Sequence, residues 1–283
     1  MNVRIREEVG RWLIRAVTYL IVAAVAWIIL DVVWHGVPAI SWGFLSGYPR
    51  EGGTAGGIFP VIIGTLCLVA GAISVALPLG IASAVYLSEY ARQGRFTRTV
   101  RLAIVTLAGV PSVVFGLFGL GLFVIFLNFG TSILSGSLTL ACMILPTIIV
   151  ASEEALRAIP QDLREGSLAL GATKWQTIAR NVLPYATPGM LTGSILGIGR
   201  AAGETAPILL TVAAFYLPKL PHSIFDQVMA LPYHLYVLAT QQPDVDKVRP
   251  LQYGTALVLI ALVLGVNTVA ILLRSRFRKR YRW

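Results

Sequence analysis

Two charged residues interrupt an apolar part of the sequence and are its first candidates for chemistry. Arg200 and Glu204 lie four residues apart in a run that is otherwise apolar from about residue 186 to residue 217, so a helix would place them on one face. An ionised residue inside a membrane costs roughly 2.5–3.5 kcal/mol and usually faces a cavity or an opposite charge. Either the two form a structural ion pair, or Arg200 binds an oxyanion through its planar guanidinium and Glu204 holds it when the site is empty.

The residues around this pair favour a local opening of the helix. Gly203 and Pro207 flank Glu204 and could expose backbone N–H groups to an anion. The predicted substrate path therefore comprises Arg200, Gly203, Glu204 and Thr205. Metal chemistry is not expected, because the three histidines lack ligand spacing and both cysteines lie inside apolar runs.

The composition indicates what kind of protein carries these residues. The chain has 283 residues, of which 56% are hydrophobic and 13% charged, and its mean hydropathy is +0.76. Soluble domains carry about a quarter charged residues, so the composition excludes the soluble, disordered and disulfide-stabilised classes. An integral membrane protein in contact with lipid is expected. The net charge of +10 does not indicate nucleic-acid binding, since the basic residues cluster at the ends of apolar runs.

Six apolar segments are long enough to be membrane-spanning helices. They cover about residues 14–36, 58–87, 102–127, 133–151, 186–217 and 253–273. Eighteen Lys and Arg residues fall on one side of this topology, four fall on the other, and Arg200 lies within a span. The positive-inside rule then predicts that both termini are cytoplasmic. Residues 1–283 are predicted to form a single all-α transmembrane domain.

The longest predicted cytoplasmic loop, residues 152–185, begins with the signals of a short helix. Asp162 and Glu165 have the spacing of a capping box, in which each side chain satisfies a free backbone N–H group. Residues 163–170 would form the helix. Gly171 would end it, because glycine adopts the left-handed conformation without strain.

A second short helix is predicted in the same loop. Thr173 and Gln176 repeat the cap signal, and Leu183-Pro184 would end this helix. The residues of its apolar stripe are Trp175, Ile178 and Val182. Two amphipathic helices outside the membrane need a cover for their apolar faces. The cover is either the bilayer and the chain itself, or a cytoplasmic protein.

This loop resembles the cytoplasmic signature of bacterial ABC-importer permeases. That signature reads Glu-Ala-Ala, three residues, Gly, nine residues, Ile, one residue, Leu-Pro. The positions in register are Glu165, Gly171, Leu183 and Pro184, while Gly166 and Ser167 replace the two alanines and Asn181 replaces the isoleucine.

Further stretches resemble the A-type permease subunit of phosphate importers. They are Gly56-Gly57-Ile58-Phe59-Pro60, Leu77-Pro78-Leu79-Gly80 with the following Tyr86-Leu87-Ser88-Glu89-Tyr90, and Gly203-Glu204-Thr205-Ala206-Pro207. The likeness covers most of residues 55–215. It implies a type I ABC importer permease of MetI-like architecture in the inner membrane of a bacterium.

The resemblance also implies a function and partners. The chain would be a non-catalytic subunit that forms half of a translocation path for inorganic phosphate. A second permease chain, an ATPase dimer that binds ATP and Mg²⁺, and an extracytoplasmic phosphate-binding protein would complete the importer. The segment seated in a groove of the ATPase would comprise Glu165, Gly166, Ser167, Gly171, Leu183 and Pro184. None of the four lysines follows a glycine, so the chain has no phosphate-cradling Gly-Lys motif of its own.

Other functions compete with this interpretation. A permease of the sulfate or molybdate type would share the loop signature but not the Gly-Glu-Thr-Ala-Pro run. A proton-driven anion transporter would use Glu204 as its proton carrier, but such folds usually contain internal repeats, and no convincing repeat relates the halves. A membrane enzyme is unsupported by any metalloprotease or serine-hydrolase motif.

Overall fold

The computed structural model describes residues 3–242 and 244–280. Within them the chain is mostly helical, as the composition predicts, and one short hairpin accompanies the helices. The two chain termini, for which a cytoplasmic location is predicted, lie outside the described residues.

The first half of the chain contains two long helices and one pair of shorter helices. Its elements are α1 (Val3–Gly36), α2 (Trp42–Ser46), the antiparallel strands β1 (Pro49–Arg50) and β2 (Ala55–Gly56), α3 (Phe59–Val85) with a π-helical turn at Tyr86–Tyr90, α4 (Arg95–Ala108), and α5 (Ser112–Gly119) with a π-helical segment at Leu120–Phe126. The second half contains α6 (Ile133–Arg157), α7 (Gln161–Ala169), α8 (Lys174–Thr177), a π-helical segment at Ile178–Val182, α9 (Leu183–Gly203), α10 (Ala206–Thr211), α11 (Leu231–Thr240) and α12 (Val245–Arg280).

The centre of the fold is formed by α3, α6 and α9, which pack closely through small residues. Gly71 of α3 lies so near Ser137 that a Cβ would overlap its side chain, and Gly193 of α9 lies equally near Ala151. Small residues let helix backbones approach closely in a membrane. Dispersion contacts then stabilise the helix packing, because the hydrophobic effect does not act between helices in lipid. We call the end of the bundle that carries α7 and α8 the α7 end, and the opposite end, which carries α11 and the hairpin, the α11 end.

Among the described residues, four helices are long and apolar enough to cross a bilayer: Gly10–Ala39, Phe59–Tyr90, Ile133–Arg157 and Asp246–Arg278. The pair α4 and α5 makes a fifth crossing if it counts as one span. The helix α9 has 21 residues, a length of about 31 Å at 1.5 Å per residue, and runs antiparallel to α6. The count of six spans therefore stays a prediction.

The predicted span at residues 102–127 is not a single straight helix. The chain bends by 102° between Arg95–Ala108 and Ser112–Phe126. Pro111 has an extended ψ of 139° and caps α5. Its ring disfavours helical geometry at Val110 and removes a backbone donor, so α4 cannot continue into α5.

The expected span 186–217 is also interrupted. The helix α9 ends at Gly203, Glu204 is extended (φ −78°, ψ 133°), and α10 starts at Ala206. Pro207 has no N–H to donate to the carbonyl of Gly203, so a continuous helix would lose a bond there. The opening that the sequence predicts beside Glu204 is thus present, but the helical part ends at Thr211, six residues before the predicted limit.

Candidate functional site

A tight turn joins the two short helices at the α7 end, as predicted. Gly171 has a φ of +84°, and its N–H donates to the carbonyl of Leu168 at 2.9 Å. Thr173 and Gln176 form the predicted reciprocal capping box at the start of α8. We call residues 161–182 the coupling segment.

The predicted cap of the first helix is wrong. The helix α7 follows Pro160 and starts at Gln161, so Asp162 lies in its first turn and does not cap it. Pro160 occupies the N-cap position, and the helix begins without a side-chain cap. Asp162 instead places its charge near the positive end of the helix dipole.

The predicted apolar stripe of the second helix is divided between two environments. Ile178 and Val182 are buried, at 1% and 0% exposure, whereas Trp175 is 60% exposed. The buried pair packs with Leu156 of α6 and with Ile159 just beyond it. Ser167 and Thr177 are also buried, and their hydroxyl oxygens lie 2.9 Å apart in a hydrogen bond between α7 and α8. The chain itself therefore covers one face of the segment.

Leu183-Pro184 does not end the second helix, contrary to the expectation. The π-helical segment Ile178–Val182 connects α8 to α9 without a break, and Pro184 lies in the first turn of α9. A proline in an ordinary α-helix clashes with the carbonyl four residues earlier, here that of Arg180. The wider π turn accommodates this ring. The coupling segment is consequently continuous with the helix that carries Arg200.

A buried ion pair attaches the coupling segment to α3. Arg164 of α7 contacts Glu89 with its Nε at 3.3 Å and its Nη2 at 2.9 Å. The same guanidinium donates to the carbonyls of Leu156 and Ile159 at 2.8 and 2.7 Å, where α6 ends and its last carbonyls lack full intrahelical pairing. Charge-assisted bonds of this kind are about twice as strong as neutral ones.

A second ionic cluster lies beside it. Glu153 of α6 accepts from Arg101 and from Arg157, both at 2.7 Å, and Arg101 also donates to the carbonyl of Leu87 at 2.8 Å. Sequence reasoning counted the arginines as topology signals and missed both clusters. Glu89 and Glu153, acids at the ends of apolar runs, were the available signal.

The opposite face of the coupling segment is open. Leu170 is 91% exposed, Glu165 is exposed, and a Cβ at Gly166 or Gly171 would meet no described atom within 4 Å. Of the six predicted coupling residues, Glu165, Gly166 and Gly171 therefore lie on the open surface. Ser167 faces inward, and Leu183 and Pro184 lie in the first turn of α9.

The four residues of the predicted substrate path lie together at the end of α9. Arg200 Nε lies 3.2 Å from Glu204 Oε1, with side-chain exposures of 38% and 18%. Gly203 is exposed, and a Cβ there would meet no described atom within 4 Å. One turn before Arg200, Gly197 lies near Ile144 and Ile148, close to the middle of α6. The charged pair thus lies at mid-depth of the bundle, on an uncovered surface of this chain.

Comparison with known proteins identifies relatives of the chain. Residues 76–283 match the family described as the binding-protein-dependent transport system inner membrane component. The chain is 38% identical to the phosphate transport system permease protein PstA 1 of Mycobacterium tuberculosis over 259 residues, which cover 90% of this chain and 82% of that protein. It is 32% identical to the probable phosphate transport system permease protein PstA of Methanocaldococcus jannaschii over 266 residues, 93% and 91% of the two chains.

Solved transporters share the fold. A chain of a bacterial ABC transporter involved in the import of the acidic polysaccharide alginate aligns with a TM-score of 0.65 and 15% identity, covering 96% of this chain and 99% of that one. A chain of the inward-facing MetNI methionine ABC transporter aligns with a TM-score of 0.58 and 17% identity, covering 78% and 94%. The protein therefore has the MetI-like permease fold and belongs to the family of inner membrane components of binding-protein-dependent transport systems, in the branch of the PstA phosphate transport permeases.

Proposed function

We propose that the chain is a permease subunit of an ATP-driven importer of inorganic phosphate and forms half of its translocation path. The names of its relatives support phosphate as the substrate. A second permease chain, an ATPase dimer that holds ATP and Mg²⁺, and an extracytoplasmic phosphate-binding protein complete the importer. The similar alginate transporter, solved in complex with a periplasmic protein that holds an alginate pentasaccharide, supports a partner of this last kind.

The chain crosses the bacterial inner membrane six times in this proposal, with both termini and the α7 end in the cytoplasm. The distribution of basic residues supports this orientation, since Arg92, Arg95, Arg157 and Arg180 all belong to the α7 end. The sixth crossing is α9 with the opening at Glu204. The α11 end then faces the phosphate-binding protein.

The coupling segment docks onto the ATPase. Its open face combines a carboxylate at Glu165, the apolar side chains of Leu170 and Trp175, and the uncovered backbone at Gly166 and Gly171. A partner can approach such a glycine-containing surface closely, and exposed aromatic side chains are frequent anchors of protein interfaces. The buried face, fixed by Ser167 and Arg164, keeps this surface in place.

Arg200 binds the phosphate oxyanion as it passes. Its guanidinium is partly exposed on a surface that the second permease chain covers in the assembled importer, and two N–H groups of arginine match two oxygens of a phosphate. When no anion is bound, Glu204 pairs with Arg200 at 3.2 Å. It releases Arg200 when the anion arrives. The exposed position of Gly203 leaves room for the ion beside the helix break.

The observation that carries the proposal is the continuity of the helical path from the exposed turn at Gly171, through Ile178–Val182, to Arg200. A displacement of the coupling segment by the ATPase is transmitted along this path to the charged pair. Reconstitution of the four-part importer in proteoliposomes tests it. Phosphate uptake should require ATP and should not follow an imposed pH gradient. Uptake driven by the gradient without ATP would indicate a proton-coupled transporter, and preference for sulfate or molybdate would indicate another oxyanion.

A further inference from the structure

A groove at the α7 end has a composition that the transport function does not explain. It lies between the end of α3 and the start of α4, has a volume of about 1020 Å³, and has Ile149 of α6 in its lining. The remaining apolar lining includes Ala82, Leu87, Val100 and Ile104. None of the residues proposed for coupling or for the substrate path lines it.

The rim of the groove is basic and aromatic. Arg92 and Arg95 line it together with Tyr86, Tyr90 and Phe96. A third cation lies next to this rim, because Lys174 Nζ is 4.8 Å from the ring centroid of Tyr90. Phe96 is 82% exposed. Aromatic side chains of this kind concentrate where the hydrocarbon of a membrane meets the headgroups.

The two arginines at the rim have no acidic partner in the described part of the chain. Glu89, the acid nearest to them in sequence, is held by Arg164, and Glu153 is held by Arg101 and Arg157. The rim therefore presents uncompensated positive charge above an apolar cleft. A ligand with a negative headgroup and hydrocarbon chains matches both parts at once.

We propose that this groove binds an anionic phospholipid of the inner leaflet, with its phosphate at Arg92 and Arg95 and an acyl chain along the cleft between α3 and α4. Basic pockets between membrane helices on the cytoplasmic side are known to take anionic lipid headgroups. The apolar lining favours a lipid over free inorganic phosphate, which would need polar groups on all sides. The inference rests on the proposed orientation of the chain but not on phosphate transport.

The test uses the whole importer in nanodiscs that contain a photoactivatable lipid. One sample carries anionic phosphatidylglycerol with the photoactivatable group in its acyl chain, and the other carries zwitterionic phosphatidylcholine with the same group. After irradiation, adducts are mapped by peptide mass spectrometry. Phosphatidylglycerol adducts are expected on residues 82–104, clearly above those of phosphatidylcholine.

Variants assign the signal to the two arginines. A basic residue near an anionic headgroup contributes a factor of about five in binding, so Arg92→Gln with Arg95→Gln should lower the phosphatidylglycerol adducts by about 25-fold. The charge-preserving pair Arg92→Lys with Arg95→Lys should retain most of them. A control pair with two exposed arginines of α12, Arg276→Gln with Arg278→Gln, should leave the adducts on residues 82–104 unchanged.

Several results would overturn the lipid site. Equal adducts from both lipids would show a non-specific surface. Undiminished labelling of the Arg92→Gln, Arg95→Gln variant would show that these arginines do not bind the lipid. Absence of adducts on residues 82–104 in the intact importer would show that a protein subunit covers the groove. Loss of adducts on addition of millimolar inorganic phosphate would assign the arginines to the free anion. Adduct mapping needs no uptake, so it can succeed or fail independently of the proposed function.

Discussion

Arg164 of α7 and Glu89 of the turn after α3 form a buried ion pair across 75 residues of sequence, with Nη2 of the arginine 2.9 Å from Oε1 of the glutamate. Their side chains are only 12% and 9% exposed. Both are satisfied further, Arg164 by carbonyls at the end of α6 and Glu89 by the hydroxyl of Ser88 at 3.3 Å. The pair joins three elements at one point: the coupling segment, α3 and α6.

Loss of Arg164 is expected to destabilise the protein strongly. Arg164→Ala removes the charged partner of Glu89 and a donor to the carbonyls of Leu156 and Ile159, and breaking a buried pair in this way costs about 3–5 kcal/mol. The thermal midpoint of the purified importer should fall clearly. Arg98→Ala is the matched control, since Arg98 is exposed and should change stability by less than about 0.5 kcal/mol.

A double-mutant cycle separates the pair from the rest of the network. Arg164→Ala combined with Glu89→Ala should be less destabilising than the sum of the two single changes, because the second change removes the orphaned charge. Strict additivity would mean that the two side chains do not interact in the importer.

Substitutions at Gly171 should act through the backbone conformation of the turn and not through steric overlap. A Cβ at this position would meet no described atom within 4 Å, yet the φ of +84° costs a β-branched residue roughly 1–2 kcal/mol or more. Gly171→Val is expected to lower both ATPase co-purification and phosphate uptake. Gly171→Asn, whose side chain tolerates the left-handed region, should retain most of both. An equal loss of co-purification and uptake in both variants would show that any added side chain is disruptive and that the backbone conformation of the turn is not the cause.

The close approach of α9 to α6 should be sensitive to a single methyl group. Gly193→Ala would overlap Ala151 and is expected to cost about 1–3 kcal/mol, seen as a lower thermal midpoint. Gly265→Ala in α12, where a Cβ would meet no described atom within 4 Å, is the control and should be neutral or slightly stabilising. Ala151→Gly in the Gly193→Ala background should recover part of the loss.

Several features of the fold were predictable because local rules determine them. The Thr173–Gln176 capping box and the left-handed Gly171 depend on a few adjacent residues, and the structure contains both. The cap at Asp162 was mispredicted because the helix follows Pro160 and begins two residues earlier than expected, and Leu183-Pro184 was mispredicted because a π turn accommodates the proline. In each case a second local feature, the proline or the π turn, determined the observed boundary.

The ionic clusters were not predictable in the same way. The pairing of Arg164 with Glu89, and of Arg101 with Glu153, joins residues 75 and 52 positions apart, and only the packing of α3, α4, α6 and α7 brings them together. The break near Pro111 had a visible signal in the proline itself. Hydropathy alone could not show the bend that this proline causes, because the two flanking segments together are apolar enough for one span.

The orientation of the chain can be tested at the most exposed side chains of the two ends. Leu170 is 91% exposed at the α7 end, and Trp42 is 82% exposed at the α11 end. In a cysteine-free background, Trp42→Cys should react with a membrane-impermeant maleimide added to intact cells, and Leu170→Cys should react only after the membrane is opened. Reaction of Leu170→Cys from outside would reverse the proposed topology and remove the coupling segment from the ATPase.

The last prediction concerns Arg200 and Glu204, whose separation of 3.2 Å fits both a structural ion pair and an anion site in its empty state. Arg200→Ala alone should abolish uptake, but it also leaves Glu204 without its partner, so misfolding could produce the same loss. The double change Arg200→Ala with Glu204→Ala removes both charges together and should assemble with the ATPase. If Arg200 binds the anion, this assembled importer hydrolyses ATP but moves no phosphate in proteoliposomes. If the pair is only structural, it transports at a near-normal rate, and Arg200 must then be withdrawn from the substrate path.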